Sequence, residues 1–166
     1  MRVAPSGTAR WHDRPTSDPH VLGPGLAPPP FTADEIRAGC PDGHLLVIRA
    51  VDADGAATLR ANRFEDGDAE GATIAAGAVD PGGAWLGEPA RARATWLELQ
   101  AHAAFPADST TIVAERVALA IGERDCLRYE VRGGQGTSTF WFALEHPGMP
   151  LRHASGGALV EVVAIR

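Results

Sequence analysis

The chain contains no lysine; its fifteen basic residues are all arginine. That removes Schiff-base chemistry, a lysine general base and the P-loop lysine. Base composition of a GC-rich genome suffices to explain the bias. Cysteine is nearly as scarce. Cys40 and Cys126 lie far apart with no CxxC spacing, and two thiols alone cannot make a four-ligand zinc site. The histidines (His12, His20, His44, His102, His146 and His153) form neither HxH nor HExxH, so no metal site is expected. There is no GxSxG elbow, and no apolar run reaches membrane-spanning length. The opening MRVAPSGTARWHDRP carries no signal-peptide apolar segment. The expectation is a cytoplasmic protein with reduced thiols, with a disulfide as the open alternative.

What is present suits one soluble domain. The 166 residues are 45% hydrophobic and 22% charged, enough apolar material for a core without a metal or disulfide staple. Net charge is −6 and no basic block occurs, which argues against nucleic-acid binding. No cofactor motif is found. "RGGQG" falls between two strands, so it reads as a hairpin loop and not a phosphate cradle. Asp66-Gly-Asp68-Ala-Glu70-Gly71 imitates the first half of an EF-hand loop, but Gly77 stands where the bidentate Glu belongs. An acidic turn is the expected form.

Residues 1–30 are rich in Pro, Gly, Ser and Asp and read as a flexible or extended segment, with Trp11 as its one packing anchor. Residues 31–166 read as a single domain. Thr32-Ala-Asp-Glu35 is a capping box that opens a helix of about two turns, ended by Gly39. Turn signals then arrive about every eight to twelve residues, the mark of an antiparallel meander. "HLLVIRAV" and "AATLRANRF" flank the turn DADG; "ATIAAGAV" and "AWLGEPA" flank DPGG. A central helix follows, and then four or five more strands. The fold class is α+β: a curved antiparallel sheet of about eight or nine strands, a half-barrel or open barrel, packed on one short central helix. "FWFAL", apolar at consecutive positions, marks a central strand covered on both faces or one facing an apolar cavity.

The central helix is "ATWLELQAHAAFP". Thr95 and Glu98 form a second capping box and Pro106 stops the helix. A broad apolar arc holds Trp96, Leu97, Leu99, Ala101, Ala103 and Ala104, leaving Glu98 and His102 on a solvated face. Gln100 is a polar group inside the apolar arc. It needs a backbone or ligand partner and is the better pocket candidate of the two polar residues, Gln100 and His102. In "DCLRYEV", Cys126, Arg128 and Glu130 share one face of a strand, and Leu127, Tyr129 and Val131 the other.

The strings "FTADEIRAGCPDG", "TWLELQAHAAFP", "DCLRYEV" and "TFWFALEHPGMP" resemble an uncharacterised family of small actinobacterial-type β-rich domains, over roughly residues 31–166. The strand–helix–strand order also resembles the LolA-type half-barrel of lipoprotein carriers. That resemblance implies a sheet that cradles acyl chains, although this chain lacks those carriers' export signal. The expected function is non-enzymatic: binding of a small apolar molecule or a protein partner in the concave face, lined by Trp96, Gln100, Tyr129, Phe140, Trp141 and Phe142. The alternative is a cofactor-independent cyclase, isomerase or hydrolase using His102, Glu98, Cys126, Asp125 and Tyr129. A third possibility is a scaffold that meets its partner through the Pro-rich segment.

Overall fold

The computed structural model describes residues 18–166. Trp11 and His12 lie outside the described residues. Nine antiparallel strands form one open sheet: β1 Leu45–Val51, β2 Ala57–Glu65, β3 Gly71–Ala78, β4 Ala90–Thr95, β5 Thr110–Leu119, β6 Gly122–Gly133, β7 Gly136–Ala143, β8 Arg152–Ser155 and β9 Ala158–Ile165. Their order is β4-β3-β2-β1-β9-β8-β7-β6-β5. Two meanders thus meet through the first and last strands. Helices α1 (Ala33–Gly39) and α2 (Trp96–Ala101) pack against the sheet and against each other. The result is the expected α+β curved sheet.

The turns follow the local chemistry. Asp52 accepts from the backbone N–H of Asp54 and Ala56, and Asp80 from that of Ala84, as short Asp-led turns do. Asp68 accepts from the N–H of Glu70 and Gly71 and pairs with Arg93. The acidic stretch is therefore a self-satisfied turn. One expected strand is displaced. "AWLGEPA" does not return along β3; Ala84–Pro89 makes only the bridge Val79↔Trp85, and β4, "ARARAT", is the partner of β3. Trp85 instead covers the sheet beside Arg63, whose guanidinium lies 5.7 Å from the ring centroid, and packs with Val47, Ala61 and Val79.

Alternation along the strands separates an inner, helix-bearing face from an outer one. Leu46, Ile48, Phe64, Ile74, Leu127, Tyr129, Phe140 and Phe142 point inward by register. A β-bulge between Val47 and Ile48 in the pairing with β9 shifts the register. It keeps Ile48 opposite Val162 while placing Val47 opposite Ala164. The outer face near β7 is a polar lattice. Glu115 accepts from the Trp141 indole N–H at 2.9 Å and pairs with Arg128 at 3.1 Å. Arg152 pairs with Glu161 at 2.7 Å. Phe140, Trp141 and Phe142 are thus flanked on both faces, by aromatics within and by charge-paired side chains without, while Leu144 beyond the strand is 48% exposed.

Residues 18–31 form an extended strap on the inner face. Ala27 N–H donates to the Phe105 carbonyl, and Leu26 bridges Pro106. Ala27, Pro29, Pro30 and Phe31 are buried. The packed domain therefore includes this part of the Pro-rich segment.

β3 and β4 approach so closely that a Cβ at Gly71 would sit 2.2 Å from the Ala94 carbonyl oxygen. Gly71→Ala is expected to lower stability by about 3 kcal/mol, the overpacking range. Gly134→Ala, where a Cβ meets nothing within 4 Å, should stay within about 0.5 kcal/mol of the parent. Urea unfolding of both variants checks the contrast.

Candidate functional site

α2 is shorter than its sequence pattern suggests. It ends at Ala101, and His102, Ala103 and Ala104 turn on N–H bonds to the carbonyls of Glu98, Gln100 and Ala101. Six residues cannot hold a helix by propensity alone, so tertiary contacts fix it. The Trp96 indole N–H donates to the Asp68 carbonyl at 2.9 Å, and its ring stacks on Phe64 at 6.3 Å. Thr95 and Glu98 form the expected capping box. The Thr95 N–H, followed by its hydroxyl and by His102, holds the Glu98 carboxyl below its ordinary range.

The buried arc is narrower than the expected one. Trp96, Gln100 and Ala103 are buried, whereas Leu97 is 57% exposed and Ala101 is exposed. Both polar ends of the Gln100 side chain are taken up by backbone partners. Its Oε1 accepts from Ala33 N–H at 2.9 Å and its Nε2 donates to the Pro19 carbonyl at 2.8 Å. It joins α2 to the start of α1 and to the strap.

Between the helices and the inner face lies a cavity of about 380 Å³. α1 contributes Ile36; α2 and the turn after it contribute Leu99, His102, Ala103 and Phe105. The sheet supplies Leu46 from β1, Asn62 and Phe64 from β2, Ile74 from β3, and Phe140 and Phe142 from β7. The loop Gly148-Met149-Pro150 closes the remaining side. The walls are mostly apolar, and Asn62 and His102 bring the polar side-chain groups. Among the described residues Asn62 Nδ2 reaches only the Met149 sulfur, at 3.9 Å, a weak acceptor.

Of the six residues expected to line the site, Phe140 and Phe142 do so. Gln100 is turned to α1 and the strap, and Trp96 is buried behind Phe64 beside the Asp68 turn. Tyr129 is buried behind the cavity wall, edge-on to Phe142 at 5.2 Å, and its hydroxyl donates to the Pro28 carbonyl at 2.7 Å. Burial pushes that phenol up to about 12. Trp141 faces the opposite side of the sheet, because it alternates with its two Phe neighbours. Conversely His102, expected on a purely solvated face, lines the cavity while remaining exposed. Asn62 was not expected at all: in "TLRANRFE" it resembles any polar residue of an alternating strand, and only the fold shows that it points inward.

The alternative catalytic set is not brought together. Glu98 and His102 lie at the helix. Cys126 is buried on the outer side, and its Sγ–H donates toward the Arg124 carbonyl at 3.7 Å. Asp125 is exposed and pairs with Arg116 at 3.0 Å. The Tyr129 hydroxyl is engaged by the strap. Burial, then Glu115, raises the Cys126 thiol, and burial raises Cys40 to about 11; neither environment favours a thiolate. Among the described residues no three His, Cys, Asp or Glu side chains lie close enough to hold a metal ion. No protein-family model matches the chain, and no curated protein matches it in sequence.

Gln100→Leu keeps the volume but leaves the Ala33 N–H and Pro19 carbonyl without this partner. A loss of about 3 kcal/mol is expected in urea unfolding, within the range for stranded buried groups. Faster hydrogen exchange at the Ala33 amide should accompany it. A pH effect follows from His153, which stacks on Phe140 at 4.3 Å with Nε2 buried and unpartnered. Burial lowers its proton affinity in the fold. The unfolded chain then binds more protons below about pH 6.5, so stability falls as pH drops through that value. His153→Phe should flatten this acid-side loss between about pH 6.5 and 5, read as unfolding midpoints across pH.

Proposed function

We propose that this protein binds a small apolar molecule in the cavity between its helices and the inner face of its sheet. The observation that carries the reading is the cavity itself: about 380 Å³, walled by Phe64, Phe140, Phe142, Ile74 and Leu99, with few polar groups. Small-molecule sites commonly have this size and composition. A non-enzymatic role is supported by the dispersal of His102 and Glu98, Cys126, Asp125, and Tyr129 to separate places. Free, buried Cys40 and Cys126 fit a reducing, cytoplasmic setting.

Naphthalene is a suitable first probe because it tests the apolar walls without a polar group. Titration followed by two-dimensional NMR should give 1:1 binding with Kd about 200 μM, from roughly 0.5 kcal/mol per heavy atom. Shifts should centre on Ala103, Phe140 and Phe142. Ile74→Trp and Ala103→Trp, which fill the cavity from opposite walls, should remove binding while leaving cooperative unfolding. Undiminished binding to a folded filled variant, or none to the parent, would overturn the reading.

A further inference from the structure

Resting on that reading, we propose that the occupant is an uncharged, mainly hydrocarbon molecule carrying one hydroxyl or carbonyl group, and that Asn62 selects it. Size comes first. At roughly 30 Å³ per methylene-sized group, the cavity accommodates about a dozen non-hydrogen atoms.

Charge comes next. Among the described residues no Arg, Asp or Glu contributes to the cavity walls, so an ionised head group carried inward would lose its hydration with no opposite charge there to meet. The exposed side does not invite an anion either. His102 lies there with Glu98 one turn earlier on α2, and the carboxylate of Glu98 is fixed by the Thr95 N–H at 2.7 Å and the Thr95 hydroxyl at 3.0 Å. An incoming carboxylate approaches a site that already carries a negative group.

Hydrogen bonding then narrows the class. Asn62 is half-buried on β2, opposite Leu46 on β1 and Ala76 on β3. Neither neighbour has a polar side chain. The Asn62 amide has two N–H donors and one carbonyl acceptor. Its contact to the Met149 sulfur is long, and no protein group donates to its oxygen among the described residues. A hydroxyl can donate to Oδ1 or accept from Nδ2, and a ligand carbonyl can accept from Nδ2. A hydrocarbon chain would lie against Phe140, Phe142 and Ile74 while its one polar group meets the amide.

Isothermal titration at pH 8 with octan-1-ol and with octanoate, which is ionised at that pH, tests the inference alongside naphthalene. The parent should bind octan-1-ol at least about tenfold more tightly than octanoate, the consequence of burying an unpaired charge. Asn62→Leu should weaken octan-1-ol about fivefold, one hydrogen bond's worth, while naphthalene affinity is kept. Asn62→Ala provides the same contrast should Leu crowd Met149. Octanoate binding as tightly as octan-1-ol, or equal losses of naphthalene and octan-1-ol in both variants, would overturn the proposed selectivity and leave the cavity reading standing. Failure of all three probes to bind the parent would overturn both.

Discussion

Two hydrogen bonds from one side-chain amide hold the inner layer together. Gln100 receives the first N–H of α1 and gives its own N–H to the strap at Pro19. The helices are seven and six residues long, too short to persist by themselves. Their positions over the sheet therefore depend on such anchors. The strap has further ties: the Tyr129 hydroxyl to Pro28, and Ala27 to Phe105. His20 Nδ1 also lies 2.9 Å from the Pro29 carbonyl. Each uses a carbonyl or N–H that a proline-rich segment cannot place in a regular ladder. Polar bonds thus fix the spacing between helices and sheet, so apolar side chains need not fill all of it. The cavity occupies the remaining gap.

The sheet carries different physics on its two faces. Outside, Glu115, Arg128, Trp141, Arg152 and Glu161 satisfy one another and keep β5 to β9 in register. Half-exposed pairs of this kind add little energy each, but opposite charges in register disfavour slips. Inside, Phe105, Phe140, Phe142 and His153 stack with centroid separations between 4.3 and 6.4 Å. Phe105, Phe140 and Phe142 of this row form one wall of the cavity. Trp141 belongs to the outer system although it lies between two inner phenylalanines in sequence.

Much of the architecture was legible because turns have strong local chemistry. Asp52, Asp68 and Asp80 cap their own turns, and the capping boxes at Thr32 and Thr95 need only four residues to declare themselves. The exchange of "AWLGEPA" for "ARARAT" shows where that legibility ends. β4 is an edge strand, exposed along most of its length, and its Ala–Arg alternation carries no large apolar side chain to read, while Trp85 owes its partial burial to the outer face of the sheet. The helix was legible in its beginning and not in its end. Its pattern continues to Ala104, but the backbone leaves α2 after Ala101, and that rotates His102 toward the cavity. Gln100 was recognisable as an anomaly from its position alone. The identity of its partners was not, since Pro19 and Ala33 are brought to it by the strap. Asn62 was not recognisable, because an alternating strand gives no sign of which polar residue faces inward.

The size of the cavity constrains what it can be. A sealed, unfilled void costs about 24 cal/mol per Å³, so about 380 Å³ would cost on the order of 9 kcal/mol. That rivals the entire stability of an ordinary domain. Collapse is the usual escape, but here it is opposed by the Gln100 and Tyr129 bonds above and by the hydrogen-bonded sheet below. The arrangement is consistent with a cleft that reaches solvent at His102, where water relieves the void yet wets an apolar wall. Displacing that water with an apolar molecule gains roughly 25 cal/mol per Å² of surface covered. The same bonds that prevent closure therefore maintain the driving force for an apolar occupant, and among the described residues no Arg, Asp or Glu stands in the walls. The proposed binding role rests more on this mechanical constraint than on any one side chain.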